Sequence, residues 1–134
     1  MTLAALLLTF KTLQAGSYAN RSPQAPQMIV ARDAVTLRNA WQNGEPPPID
    51  FKKQWVVVFF AGQKPTGGFE IQVRSVKQRG KMLVVDAHIA GPEHGMMVTQ
   101  ALTSPFAAIA VPKTKAARVR WVDGASVIAE EAKK

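Results

Sequence analysis

The chain has 134 residues, 47% of them hydrophobic, and a formal net charge of +8 from 17 Lys and Arg against 9 Asp and Glu. This length fits one domain, which can bury enough surface to fold without covalent cross-links. The sequence contains no cysteine, which excludes disulfides, thiolate nucleophiles and cysteine metal sites within these residues. The positive charge favours anionic partners such as nucleic acid, anionic lipid or an acidic protein.

The N-terminal segment has two interpretations. Residues 3–8 form a short apolar run that Lys11 follows, and residues 17–19 could pass for a small-x-small cleavage site. A secretory signal needs a positive region before the apolar stretch, and none precedes Leu3. The segment is therefore either the remainder of a signal that starts upstream or, as we favour, a first strand over residues 7–13 with Phe10 packed inside. The run is too short to span a membrane as a helix.

One helix is predicted between residues 33 and 43. The loop-like residues 16–27 and a short apolar strand at residues 28–30 precede it. Asp33 is a typical N-cap, and Leu37, Ala40 and Trp41 follow at helical spacing. Gly44 and the prolines at 46–48 end the helix.

The remaining elements are predicted as strands. Residues 55–61 are continuously apolar, which is typical of a central strand covered on both faces. Residues 69–74 alternate apolar and polar side chains, as in a strand with one solvated face. A turn at residues 79–80 leads to a returning strand at 82–89. Further strands are expected at 105–111, around Val119 and Trp121, and at the start of 125–134.

These elements predict an α+β, mostly β domain: an antiparallel sheet or sandwich-like arrangement with one short helix packed on it. The boundaries that we expect are an N-terminal segment at 1–9 (first strand or signal remnant), a domain at 10–124, and a C-terminal strand or tail at 125–134.

No side-chain constellation points to catalysis or to a metal. His88 lies two residues after Asp86 on one face of its predicted strand, and His94 lies in a loop beside Glu93. Zinc sites usually need three or four ligands, and these positions lack the spacing of known short motifs. The Gly-x-Ser-x-Gly nucleophile elbow is absent. We predict no enzyme, no cofactor and no metal.

Two loop segments are more informative. The first, residues 61–69, contains Pro65, Thr66 and the pair Gly67-Gly68, which lets the backbone approach another surface closely. It leads into a strand, whereas phosphate-binding loops lead into a helix. The second, residues 96–106, interrupts an apolar stretch with Thr and Ser. These residues either stitch a crossover to the sheet or, with Met96 and Met97, form an adaptable contact patch.

At these two segments the sequence resembles the PrcB C-terminal family. The resemblance lies in two segments: V-V-V-F-F-A-G-Q-K-P-T-G-G-F-E-I at residues 56–71 and M-V-T-Q-A-L-T-S-P-F at residues 97–106. V-P-K at residues 111–113 closes the second segment. Trp41 and P-P-I-D-F at residues 47–51 also match, so the resemblance covers about residues 10–113 and makes 10–124 a PrcB-like domain.

The resemblance implies a non-catalytic, exported, protein-binding domain, since the family is named for a subunit that binds a secreted protease and supports its stability and activity. We therefore expect an extracytoplasmic accessory domain, periplasmic or secreted, that stabilises or regulates a protease, with no small-molecule substrate and no transmembrane span. The candidate partner-binding residues lie in the two segments: Lys64, Pro65, Thr66, Gly67, Gly68, Met97 and Gln100.

Two alternatives remain open. Residues 65–69 are also similar to the N-P-T-T-G-Y loop of chagasin-type cysteine-protease inhibitors, although no R-P-W loop is found. The basic residues are densest at residues 77–81 and 113–120, and they could bind nucleic acid or other polyanions. Stacking aromatics are sparse there, so solvated turns and strand edges are the favoured interpretation.

Overall fold

The computed structural model describes residues 6–19, 23–42 and 44–131. Over these residues the chain forms nine strands and one helix. In chain order they are β1 Leu6–Leu8, β2 Lys11–Gly16, β3 Gln27–Ala31, α1 Ala34–Ala40, β4 Gln54–Phe60, β5 Glu70–Arg79, β6 Met82–Ala90, β7 Phe106–Pro112, β8 Arg118–Asp123 and β9 Ser126–Glu130.

The strands build two sheets. One has five strands in the order β1-β5-β6-β8-β9, and the other has four in the order β2-β7-β4-β3. Their facing side chains share one core, so the sheets pack as a sandwich. The predicted α+β, mostly β class with a sandwich-like sheet and one short helix is confirmed.

The core between the sheets is centred on Trp121. Its ring meets Phe59 of the facing sheet edge to face, with centroids 5.0 Å apart. The indole Nε1–H donates to the backbone carbonyl of Ala87 at 2.8 Å. This bond satisfies the polar atom of a fully buried side chain, so the burial of Trp121 between the two sheets leaves no indole N–H without a partner.

A second core covers the other face of the four-stranded sheet. Val56, Val58 and Phe60 of β4 pack there with Leu37 and Ala40 of α1. Because Trp55, Val57 and Phe59 face the first core, β4 is buried on both sides. The continuous apolar run at residues 55–61 predicted this.

The helix begins where the sequence predicts. The Asp33 carboxylate accepts a bond from the Thr36 amide at 2.7 Å, as an N-cap does. The helix ends at Ala40, because Trp41 is already extended at φ −70°, ψ 142°. Trp41 is therefore the C-cap rather than a residue within the helix. Across the described ranges no helix is long and apolar enough to cross a bilayer.

The predicted first strand divides in two. β1 pairs with β5 in the five-stranded sheet, and β2 pairs with β7 in the four-stranded sheet. Between them, Phe10 packs against the core shared by the sheets, as expected. The chain thus changes sheets at residues 9–10, which a hydrophobic pattern alone does not reveal.

One strand pair is not antiparallel: β6 and β8, which do not follow each other in the chain, are parallel neighbours. After β6 the chain crosses to the other sheet, forms β7 and returns through residues 113–117. The chain therefore enters β8 beside the first residue of β6, and the two strands run in the same direction. Parallel strands need a long crossover of this kind. The other strand pairs are antiparallel.

Candidate functional site

Both informative loop segments leave the sandwich at the same end. Residues 61–69 follow β4, and residues 91–105 lead into β7. Phe60, the last residue of β4, is paired with Phe106, the first residue of β7. This register places the two loops side by side, and we call residues 64–68 and 96–104 together the two-loop surface.

Backbone hydrogen bonds join the two loops. The Lys64 amide donates to the Thr103 carbonyl at 2.8 Å, and the Thr103 amide returns a bond to Lys64 at 2.9 Å. The Gly67 amide donates to the Thr99 carbonyl at 2.8 Å. The Thr103 hydroxyl adds a fourth bond, to the Thr66 carbonyl at 2.7 Å. The loops therefore form one bonded unit instead of two independent turns.

The Gly67-Gly68 pair permits this close approach. Gly68 has φ +87°, and a Cβ built on it would lie 2.7 Å from Pro92 Cβ and 2.8 Å from Val98 Cγ1. At Gly67 a Cβ would lie 3.3 Å from the Thr99 amide nitrogen. The glycines thus serve both the left-handed conformation and the packing of one loop on the other.

The polar residues of the second loop differ in burial. Thr103 and Ser104 are buried. The Ser104 backbone pairs with residues 17–19, donating to Ser17 and accepting from Ala19. Thr103 and Ser104 therefore bond the crossover to residues 64–66 and 17–19. Gln100 is exposed.

Large apolar side chains are exposed beside this bonded unit. The Met97 side chain is 97% exposed and that of Leu102 62%, and Met96 is also exposed. Tyr18 is exposed as well, and it bridges to Ser104. The sequence singled out neither Leu102 nor Tyr18, because their relation to the loops depends on a pairing between distant residues.

The structure brings all seven predicted partner-binding residues onto this one end. Pro65, Gly68, Met97 and Gln100 are exposed, and Lys64, Thr66 and Gly67 are half-buried. The Lys64 ammonium lies over the Phe69 ring, 5.8 Å from its centroid, which anchors the start of the first loop. Their role in binding a partner remains a prediction.

Both loops and nearly all of the strands that carry them match one family model, which is described as PrcB C-terminal. Residues 55–112 match this model. The resemblance shown by the two sequence signatures is therefore confirmed over β4 to β7. No curated protein and no solved structure matches the chain.

The PrcB C-terminal match contains the whole two-loop surface. It begins at Trp55, in β4, and ends at Pro112, in β7. The upstream similarities at residues 10–51 lie outside it. The match therefore rests on the central strands and on the two bonded loops.

A polar network lies away from these loops, on the outer face of the five-stranded sheet. His88 Nδ1 is 2.7 Å from Asp123 Oδ2, and Arg74 donates to Asp123 at 2.6 Å and to Asp86 at 2.8 Å. The hydrogen bond with His88, followed by that from Arg74, lowers the pKa of Asp123. The pKa of Arg74 is raised, chiefly by its hydrogen bond to Asp86.

The network pairs His88 with a carboxylate from another strand. Asp86 follows the same alternation, yet Asp123 from β8 is the carboxylate that contacts His88. Asp86 instead accepts from Arg74 and from the Gly124 amide. His94 lies in an exposed loop, and the residues that the structure describes contain no group of three His, Asp or Glu able to hold a metal ion.

The two basic segments of the sequence meet on this outer face. The parallel pairing of β6 with β8 sets Arg118 beside Met82 and Arg120 beside Val84. On the other side of β6, the hairpin sets Arg79 beside Met82 and Lys77 beside Val84. We call Lys77, Arg79, Arg118 and Arg120 the cationic face.

Proposed function

We propose that this protein is a non-catalytic accessory domain that binds another protein, a protease of an extracytoplasmic compartment, through the two-loop surface. The PrcB C-terminal match supports association with a protease complex. In this proposal the domain performs no reaction itself and stabilises or regulates its partner.

One observation carries the proposal: the two signatures of the family form a single surface. Four hydrogen bonds join residues 64–67 to residues 99–103. A surface that is ordered before binding loses little conformational entropy when a partner docks.

The side chains on this surface suit protein recognition. Met97 is almost fully exposed, and Leu102, Met96 and Tyr18 add apolar area near it. Methionine and tyrosine are enriched in interfaces, because methionine conforms to irregular partners and tyrosine combines apolar area with a polar tip.

Capture from extracts of the source cells tests the proposal. Tagged wild-type protein and a Met97→Glu variant are compared in low-salt and high-salt washes, with retained proteins identified by mass spectrometry. Val35→Glu is the matched control, since Val35 is an apolar side chain 68% exposed on α1, outside the two-loop surface.

We expect wild type and Val35→Glu to retain a protease through the high-salt wash. Met97→Glu should not retain it. Retention of the same partners by Met97→Glu would reject the two-loop surface as the contact. The compartment is tested separately by fractionating cells that express the full-length protein. Recovery in the cytoplasmic fraction alone would contradict the extracytoplasmic assignment.

A further inference from the structure

The cationic face has a regular geometry that the proposed function does not use. Two rows cross β6 on its outward side: Arg79, Met82, Arg118 in one and Lys77, Val84, Arg120 in the next. Each row places an apolar side chain between two cations. Val119 and Trp121 of β8 point the opposite way into the core, so Arg118 and Arg120, which alternate with them along the strand, face outward.

The centre of this face is a groove of about 330 Å³ with an apolar floor. Met82 and Val84 lie in it together with Val122 and Val127, and Val127 is 56% exposed. The cations on β5 and β8 are two strands apart, or roughly 10 Å. Along each strand they repeat every second residue, at roughly 6.6–6.8 Å.

The charge on the two sides of the groove is unequal. Glu130 accepts from Arg118 and from Arg120, the latter at 2.9 Å, and partly neutralises the β8 side. Within residues 6–19, 23–42 and 44–131, neither Lys77 nor Arg79 forms an ion pair. The β5 side therefore presents positive charge that a ligand can neutralise.

We propose that this groove binds an extended, acidic segment of a protein in which acidic and apolar side chains alternate. Residues of an extended chain that share a face repeat at the same roughly 6.6–6.8 Å as the cations of β5. Carboxylates on alternate residues can thus meet Lys77 and Arg79 in register. Successive side chains of an extended chain point to opposite sides, so a segment that lies along the groove turns its carboxylates toward β5 and its apolar side chains toward Met82 and Val84 of β6, which water otherwise contacts.

A protein segment fits this face better than nucleic acid does. A phosphate backbone offers no apolar group to the floor of the groove, and the groove is not lined by an aromatic side chain on which a base could stack. The groove lies on a sheet face, whereas the two-loop surface lies at the loop end, so each can be tested without the other.

Fluorescence anisotropy with short dye-labelled peptides tests the proposal on the full chain. One probe alternates glutamate with leucine, and a second alternates glutamate with serine. Lys77→Glu/Arg79→Glu is the test variant, and Lys52→Glu/Lys53→Glu, two exposed lysines before β4, is the control with equal charge change. Val84→Thr, nearly isosteric with valine, tests the apolar floor.

We expect the glutamate–leucine probe to bind wild type and the Lys52/Lys53 variant alike, and Lys77→Glu/Arg79→Glu to weaken binding by about tenfold or more. Val84→Thr and the glutamate–serine probe should each show weaker binding. Equal loss in the two double variants would mean that net charge alone attracts the peptide, and it would overturn the proposal. The proposal would also be overturned if the glutamate–leucine probe did not bind at low salt. Equal binding of the two probes, together with their displacement by duplex DNA, would overturn it as well.

Discussion

Lys64 and Thr103 exchange both of their backbone hydrogen bonds, at 2.8 and 2.9 Å. One residue belongs to the loop after β4 and the other to the loop before β7, so this pair links the two signatures of the family. Pairing of this kind is that of neighbouring antiparallel strands, and here it forms an isolated bridge beyond the ends of β4 and β7. The two loops are therefore held to each other by the same kind of bond that holds the strands of a sheet.

Replacing Gly68 with alanine should destabilise the fold at the two-loop surface. The new Cβ would add a clash with Pro92 and Val98 to the cost of a left-handed backbone. We expect a loss of about 2–4 kcal/mol in the free energy of unfolding, measured by urea denaturation. Gly95→Ala is the control, because Gly95 has φ +84° with open space around it, and it should cost about 1 kcal/mol. Equal losses in the two variants would refute tight packing at Gly68.

The Thr103 hydroxyl should contribute measurably to the joint between the loops. Thr103→Val keeps the shape but removes the bond to the Thr66 carbonyl, and we expect a loss of about 1–2 kcal/mol in unfolding free energy. Amide exchange at Gly67 should become faster in the same variant. Thr99→Val, at an exposed position, should change stability by no more than about 0.5 kcal/mol. Unchanged exchange at Gly67 in Thr103→Val would contradict the assigned role.

Trp121 should be among the most sensitive positions of the core. Trp121→Phe leaves a cavity between the sheets and removes the donor to the Ala87 carbonyl. We expect a loss of about 2–4 kcal/mol in the free energy of unfolding. Circular dichroism during urea denaturation measures this loss. Trp41→Phe, at a half-buried residue outside this core, should cost clearly less. A smaller effect at Trp121 than at Trp41 would argue against the described packing.

The carboxylate of Asp123 should make stability depend on pH. Its pKa is lowered in the folded state, chiefly by the hydrogen bond with His88 and then by Arg74. The stabilisation is therefore present above the unfolded pKa of about 3.9 and is lost as the pH falls through the lower, folded value. The melting temperature of Asp123→Asn should lie below that of wild type at neutral pH and converge with it in acid.

The control for this experiment is Glu93→Gln, which changes an exposed carboxylate outside the network. Its melting temperature should follow that of wild type at every pH. A gap between Asp123→Asn and wild type that persists unchanged in strong acid would show that the network does not act through the ionised carboxylate.

Much of the fold was predictable because local patterns determine it. The Asp33 carboxylate caps the helix by accepting a bond from the Thr36 amide, three residues later. The apolar run of β4 reflects its burial on both faces. Alternation in β5 likewise identifies its solvated side. These signals arise within one element, where neighbouring residues in the sequence are also neighbours in space.

Features that join distant elements were not predictable. A strand shows the same alternation whether its neighbour is parallel or antiparallel, so the β6–β8 pairing was missed. The partner of His88 is Asp123, on a strand that the chain reaches only after visiting the other sheet. The resemblance to a family marked the two loops, but only the structure shows that Lys64 and Thr103 bond them together.

Hydrogen exchange of the captured complex, compared with that of the free domain, tests binding through the two-loop surface. We expect added protection at residues 64–68 and 96–104, with little change at α1. Protection confined to α1 or to the outer face of the five-stranded sheet, with residues 64–68 and 96–104 unchanged, would contradict binding through the two-loop surface.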